Sequence, residues 1–451
     1  MDKRNKRIWL SGFAIVIFFT AVFALHGLLQ EPAVHTPLRH LFKTYEVSTD
    51  ENGAKCVNNS DKAFERIEAG KMNSWDAEHY KRIKETLYTT ERIECWAFFP
   101  LFSLVWRATD LDSLGIGILN CLLFAIGMLI MFKIFENKLP LWGFLLVLCV
   151  PYLVIFMMPY TEALFFLCIA AGLYGIIKEK YRLYFVGFLL ASMTKASASI
   201  LIPVFLFAEI ISATYHRKPL FFLARFGKRI LPVVLGLLCV MVFQKLRGAE
   251  NFHQFFISQK IWGKYLSLPT LPFTDWSSEG KSITDPFLLL YSIPMVVVLL
   301  RAFLRGLKRK EGEKITIWQY TRLISLLFLT GNIFTALLTQ HGGLYSLARY
   351  LLSTPFFVFL LFDTVKNRRN KIWEAVYAFV GLITVVLCIY NFVKADFAGT
   401  WLVMLGSLLA FFHRKFGKRV LYFALAAGIL LNICWTAYMF NCFLLDAWIF
   451  T

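Results

Sequence analysis

Between residues 73 and 80 the chain reads Asn73-Ser74-Trp75-Asp76-Ala77-Glu78-His79-Tyr80, which sets three titratable groups beside a tryptophan. A carboxylate within reach of a hydroxyl can act as general base, taking the proton as the oxygen attacks an electrophilic carbon. Asp76 is the candidate for that work, with Trp75, Glu78, His79 and Tyr80 as candidate substrate contacts. His79 can orient an acceptor or assist proton movement, and can equally partner Glu78 or Glu94. Asp76 and Glu78 could together hold a divalent cation beside a phosphate, but no His/Cys cluster has zinc spacing and no glycine-rich phosphate loop or Ser/His/Asp grouping stands out. A purely structural account competes with the chemical one. Asp76 or Ser74 can cap a helix, Tyr80, Ile83 and Leu87 make an apolar stripe, and Glu78 can pair with Arg82.

Four further residues carry charge or polarity into apolar surroundings. Glu162 follows Pro159-Tyr160, Lys195 interrupts a long apolar run in Ser192-Met193-Thr194-Lys195-Ala196-Ser197, and Arg349-Tyr350 lies about two turns after His341-Gly342-Gly343. An ionisable residue in such a place is a functional candidate. A guanidinium matches phosphate with a planar fork and an ammonium with a point charge. The alternatives are a carboxylate favoured by a helix dipole for Glu162 and cations snorkelling from helix ends for Lys195 and Arg349.

The elements that must position these residues are membrane helices. The chain is 58% hydrophobic, 17% aromatic and only 17% charged over 451 residues, with mean hydropathy +0.60. Apolar stretches recur from end to end, many reaching the roughly 17–25 residues that cross about 30 Å of hydrocarbon. Lipid leaves backbone groups unsatisfied and the alternation of a membrane barrel is absent, so the expected fold class is all-α, polytopic, in one membrane domain spanning residues 1–451 with eleven to thirteen membrane segments. The net charge of +19 gathers in loop clusters, so it points to topology and membrane lipids and to no nucleic acid.

Basic residues before the first apolar run put the N-terminus in the cytoplasm, and the run reads as an uncleaved span. Residues 30–97 then form a long extracytoplasmic loop carrying the acidic motif, with ten Lys/Arg against twelve Asp/Glu. Residues 247–285, rich in aromatics with scattered lysines, make a second such loop of interfacial character. Cys56 and Cys95 share the first loop, where they form either a disulfide or two free thiols. The basic clusters Lys178–Arg182 and Arg217–Arg229 should share the cytoplasmic side, yet about one apolar stretch separates them. Parity therefore predicts two short or broken helices meeting near the outer face at Lys195; one long tilted helix is the alternative. Later outward turns fall near His341-Gly342-Gly343 and Lys394-Ala395-Asp396.

Trp75-Asp76-Ala77-Glu78-His79-Tyr80, followed by Ala97-Phe98-Phe99-Pro100 and Pro159-Tyr160-Thr161-Glu162-Ala163, resembles the GPI mannosyltransferase II family and its bacterial relatives within the GT-C class of membrane glycosyltransferases. The first motif is specific and the others are short; the likeness concentrates in residues 73–105 and 159–200. Many members carry Arg near the position of Lys195. What the resemblance implies is inverting transfer of mannose from a dolichyl- or polyprenyl-phosphate donor to a hydroxyl of a lipid-linked glycan acceptor at the extracytoplasmic face. Asp76 would be the base, and Lys195 and Arg349 the cations for the leaving phosphate. No resident cofactor follows beyond the divalent cation considered above. Compact loops and the lack of a retrieval signal lean toward a bacterial cytoplasmic membrane; in a eukaryote the endoplasmic reticulum is implied. A transporter or flippase would use intramembrane charges as a substrate path and would want them near the midplane with repeated halves. A noncatalytic scaffold subunit is a third reading, which the acidic motif disfavours.

Overall fold

The computed structural model describes residues 3–42, 45–49, 55–59, 64–136, 139–212, 219–269, 284–309, 313, 315–341, 344, 346–366, 397–447 and 449. The turn at Lys394-Ala395-Asp396 and residues 270–283 of the second loop lie outside them. Helices dominate. Six are long and apolar enough to cross a membrane: Lys6–Leu28, Ser113–Ile134, Pro219–Leu246, Leu288–Leu307, Ile317–Thr339 and Lys418–Leu444. Two shorter apolar helices, Glu162–Ile177 and Ala196–Ile211, accompany them. These features make the chain a multi-pass membrane protein. Within the first loop, Tyr45–Thr49 and Lys55–Asn59 pair as antiparallel strands β1 and β2, a small ribbon that an all-α expectation does not contain.

Between the long helices, part of the apolar sequence forms short, irregular pieces. Residues 141–157 illustrate the cause. A single helical turn and more at Leu141–Leu145 gives way to 3-10 turns at Leu146–Cys149 and Leu153–Met157, with Pro151 and Pro159 denying the backbone donors a continuous helix needs. Such backbone survives away from water only where protein satisfies it. Asn432 donates to the carbonyls of Leu148 and Val150 at 2.7 and 2.8 Å, and Asn120 to those of Met158 and Tyr160 at 2.6 and 3.0 Å. Both asparagines are buried. The irregular segment thus arrives at Tyr160-Thr161-Glu162 already braced.

The central layer follows from glycine. Helices α7 (Glu162–Ile177) and α8 (Tyr181–Thr194) run antiparallel across a three-residue connection and pack closely. A Cβ at Gly187 would stand 2.5 Å from the Gly172 nitrogen, and one at Gly175 would collide with the Tyr184 backbone. Small residues let two backbones approach in this way without a hydrophobic drive from lipid. Because the hairpin is antiparallel and both helices are short, the first residue of α7 and the residue after α8 meet at one end.

Lys195 is where the chain breaks. Its backbone is extended (φ −148°, ψ 136°), followed by a 3-10 turn at Ala196–Ile200 and then helix α9, Leu201–Ile211. The interruption expected from the charge pattern is therefore present, and the single tilted helix is not. On the other side of the site, α3 (Asp76–Thr86) packs on α4 (Pro100–Thr109). Ser103 Oγ donates to the Tyr80 carbonyl at 2.8 Å, and the Tyr88 hydroxyl to that of Phe98 at 2.6 Å. Tyr88 also stacks on Trp96 with ring centres 4.7 Å apart, so Asp76 stands on a braced platform.

Candidate functional site

Asp76, Glu162, Lys195 and Arg349, separated by up to hundreds of positions in the chain, form one continuous run of ion pairs. Arg349 Nη2 lies 2.7 Å from Asp76 Oδ2, and Arg349 Nε 2.7 Å from Glu162 Oε1. The same Glu162 oxygen receives Lys195 Nζ at 2.7 Å. The side chains of Glu162 and Arg349 are 1% and 4% exposed, while that of Asp76 is 26% exposed. The inner members are structural in their burial and the outer carboxylate faces the solvent side. Glu162 also occupies the first turn of α7, so a favourable dipole position and the ion pairs coexist.

Each member arrives by a local device. Trp75, just before α3, adopts φ 59°, ψ −128° and donates no side-chain cap; Asp76 is the first helical residue. Neither Asp76 nor Ser74 is the helix cap, because the chain enters α3 through this strained tryptophan and the carboxylate is drawn to Arg349 instead. A nonglycine residue at positive φ costs of order 1–3 kcal/mol and collects at functional sites. Arg349 sits on the short helix α14 (Leu347–Leu352), entered through Ser346 at φ 61°. Buried Asp285 accepts the Ala348 backbone amide at 2.7 Å and holds that turn.

Tyr350 lies at the centre of the cations. Lys195 and Lys264 ammonium groups stand 5.1 and 5.7 Å from its ring centre, the Arg349 guanidinium 6.0 Å. Lys264 also donates to its hydroxyl at 3.3 Å. The Tyr350 oxygen, ahead of the opposing effect of burial, holds the Lys264 ammonium above the ordinary lysine value. Arg349 covers the ring of Tyr160 at 4.7 Å. Lys264 and Tyr160 escape sequence reasoning: one is among several scattered lysines of the second loop, the other an aromatic among aromatics. The signal that singles out Lys264 is positional, a cation set between exposed Trp262 and Leu266.

The remaining motif residues do not join the ion pairs. Glu78, half exposed, pairs with Arg82 four residues on, and Trp75 is exposed. Asp76 and Glu78 thus answer separate guanidinium groups; among the described residues no group of three or more His, Cys, Asp or Glu is arranged to hold a metal ion. Tyr80 is buried against Phe98 and Phe102, its hydroxyl 3.4 Å from Thr161 Oγ1, so it joins α3 to the start of α7. His79 pairs with neither Glu78 nor Glu94. Its ring stacks on Phe98 at 4.7 Å, meets the edge of Trp262 at 5.1 Å, and its Nδ1 lies 3.6 Å from Cys95 Sγ. Burial pushes the His79 imidazole below its ordinary value, against the nearby carboxylates of Asp76, Glu78 and Glu94. Cys95 is a buried free thiol; the Cys56 side chain lies outside the described structure.

The two outer loops expected from the sequence close on one another. Arg247 Nε donates to the Leu87 carbonyl at 2.9 Å, Gln259 Nε2 to that of Ala97 at 3.3 Å, and Trp262 Nε1 to that of Glu94 at 3.3 Å. No family model matches this chain, and no curated protein or solved structure is significantly similar to it.

Proposed function

We propose that this protein is a multi-pass membrane glycosyltransferase of GT-C type, moving mannose from a polyprenyl- or dolichyl-phosphate donor to a hydroxyl of a lipid-linked glycan acceptor. The observation that carries the proposal is the Asp76–Arg349–Glu162–Lys195 run, which leaves one carboxylate partly exposed at the edge of a buried cluster of ion pairs. Arg349 holds Oδ2 of Asp76 and so sets the plane of the carboxylate, whose partly exposed side chain is open to an acceptor hydroxyl. In the proposed step that hydroxyl gives its proton to Asp76 as its oxygen bonds to the anomeric carbon. The bond from that carbon to the donor phosphate oxygen breaks on the opposite face, its electron pair leaves with the phosphate, and configuration inverts. The leaving phosphate needs no protonation, unlike the leaving alcohol of glycoside hydrolysis, and cations fixed around Tyr350 supply the stabilisation.

The active face is the extracytoplasmic one on this reading, since Asp76 belongs to the loop that follows a basic N-terminal segment. The resemblance of Trp75–Tyr80 to the GPI mannosyltransferase II family supports mannose and a lipid-linked acceptor, with eleven to thirteen membrane segments in all. The helix break at Lys195 also favours a second reading, a transporter or flippase, because such proteins bind substrates at discontinuous helices. Purified protein in lipid nanodiscs, given polyprenyl-phosphate [14C]mannose and a glycolipid acceptor, separates the two. Radiolabel appearing in the acceptor supports transfer. Vesicle flux of the lipid without transfer replaces it with the second reading.

A further inference from the structure

Among the described residues, three cations surround Tyr350, namely Arg349, Lys195 and Lys264. Two carboxylates, Asp76 and Glu162, lie with them, and their ion pairs go to Arg349 and Lys195. Lys264 is left with a hydroxyl as its hydrogen-bond partner. An ammonium and a hydroxyl 3.3 Å apart are two donors that one phosphate can engage together. The position is built. The Ser267 amide donates to the Leu338 carbonyl at 2.8 Å, Ser267 Oγ meets His341 Nδ1 at 2.9 Å, and the Tyr265 ring lies 4.2 Å from that of His341. The segment is thereby tied across the end of the long helix Ile317–Thr339. On either side of Lys264 the chain exposes Ile261, Trp262, Leu266 and Leu268, the leucines at 79% and 86%. Apolar side chains that open to solvent in a membrane protein mark contact with lipid.

Resting on the glycosyl-transfer reading above, we infer that Lys264 and the Tyr350 hydroxyl anchor the phosphate of a polyprenyl-phosphate lipid, whose hydrocarbon chain leaves over Leu266 and Leu268. Lys195 and Arg349, already paired with carboxylates, then position Asp76 and Glu162 and are not the primary phosphate ligands. Residues 261–268 become the route by which the carrier lipid enters from the bilayer, ending with its phosphate beside the carboxylate that activates the acceptor.

The test is binding, independent of any sugar. Full-length protein in phosphatidylcholine nanodiscs is titrated with undecaprenyl phosphate, undecaprenol and inorganic phosphate. The expected result is preference for undecaprenyl phosphate over both others. Lys264→Gln weakens it at least about tenfold, Lys264→Arg retains most of it, and the Leu266→Ser/Leu268→Ser variant weakens lipid binding while leaving the difference between phosphate and alcohol. Lys264→Gln binding within about twofold of wild type, or inorganic phosphate binding as well as the lipid, overturns the inference. The two proposals fail separately. Lys264-dependent binding in a protein that transfers no sugar keeps the phosphate site and removes the transferase; transfer with an unchanged KM in Lys264→Gln does the reverse.

Discussion

Glu162 is the member of the site whose loss the structure makes most expensive. Its side chain is 1% exposed and one oxygen serves both Lys195 and Arg349, themselves only 14% and 4% exposed. Glu162→Gln keeps the shape and removes the charge, leaving Lys195 without a carboxylate and Arg349 with Asp76 alone. Breaking a buried pair from one side costs about 3–5 kcal/mol, since the abandoned charge remains desolvated. Lys195→Met is milder, about 1–3 kcal/mol, because Glu162 keeps Arg349 and the loss is mainly one charged hydrogen bond. The double variant removes both halves of the pair and should be more stable than the sum of the single effects by about 0.5–3 kcal/mol. Equilibrium unfolding in mixed micelles, following tryptophan fluorescence, measures all four corners of the cycle. Glu162→Gln costing under about 1 kcal/mol, or strictly additive variants, would refute the reasoning that these charges are buried and coupled.

Three more outcomes follow from particular contacts. Glu78→Gln should leave transfer nearly intact and cost at most about 0.5 kcal/mol, as expected of an exposed pair one helical turn apart; loss of activity would return Glu78 to the site. Gly187→Ala drives a methyl into the Gly172 backbone of the α7–α8 hairpin and should cost about 1–3 kcal/mol, read from the unfolding midpoint. A neutral result would mean the two helices can part freely. His79 is held below 6.5 by burial, so its contribution to stability is complete above that pH. As pH falls through 6.5 the unfolded chain takes up the proton first, and stability declines until the lowered folded value is reached. Unfolding measured at about pH 7.5 and about pH 5 should therefore slope more steeply in wild type than in His79→Phe, and identical slopes would contradict the buried neutral imidazole.

What was legible beforehand divides along physical lines. A charge in an apolar run is conspicuous because lipid penalises it, and Glu162, Lys195 and Arg349 stand out for that reason. The break at Lys195 is legible from two basic clusters that must share a side, a constraint acting over long distance yet written in local composition. Asp76 is visible from its motif, but its partner is not, since Arg349 lies 273 positions further along the chain and only packing joins them. The cap at α3 is misread because Ser74 and Asp76 have the right chemistry while the backbone at Trp75 takes a conformation that residue type disfavours. Lys264 stays hidden because a lysine in an aromatic loop looks solvated until Tyr350 is found beneath it. The irregular build of residues 141–157 is hidden in the sequence because an apolar run does not reveal its brace, which comes from two asparagines far along the chain.

The most direct trial of Asp76 as general base is the turnover of Asp76→Asn. Asparagine fits the same space and can still accept a hydrogen bond from Arg349, but it cannot take a proton from the acceptor at neutral pH. Protein of wild-type expression and elution volume, assayed in nanodiscs with polyprenyl-phosphate mannose and a glycolipid acceptor, should lose roughly 10²–10⁴ in rate while binding undecaprenyl phosphate as wild type does. Wild-type turnover by Asp76→Asn would contradict the account.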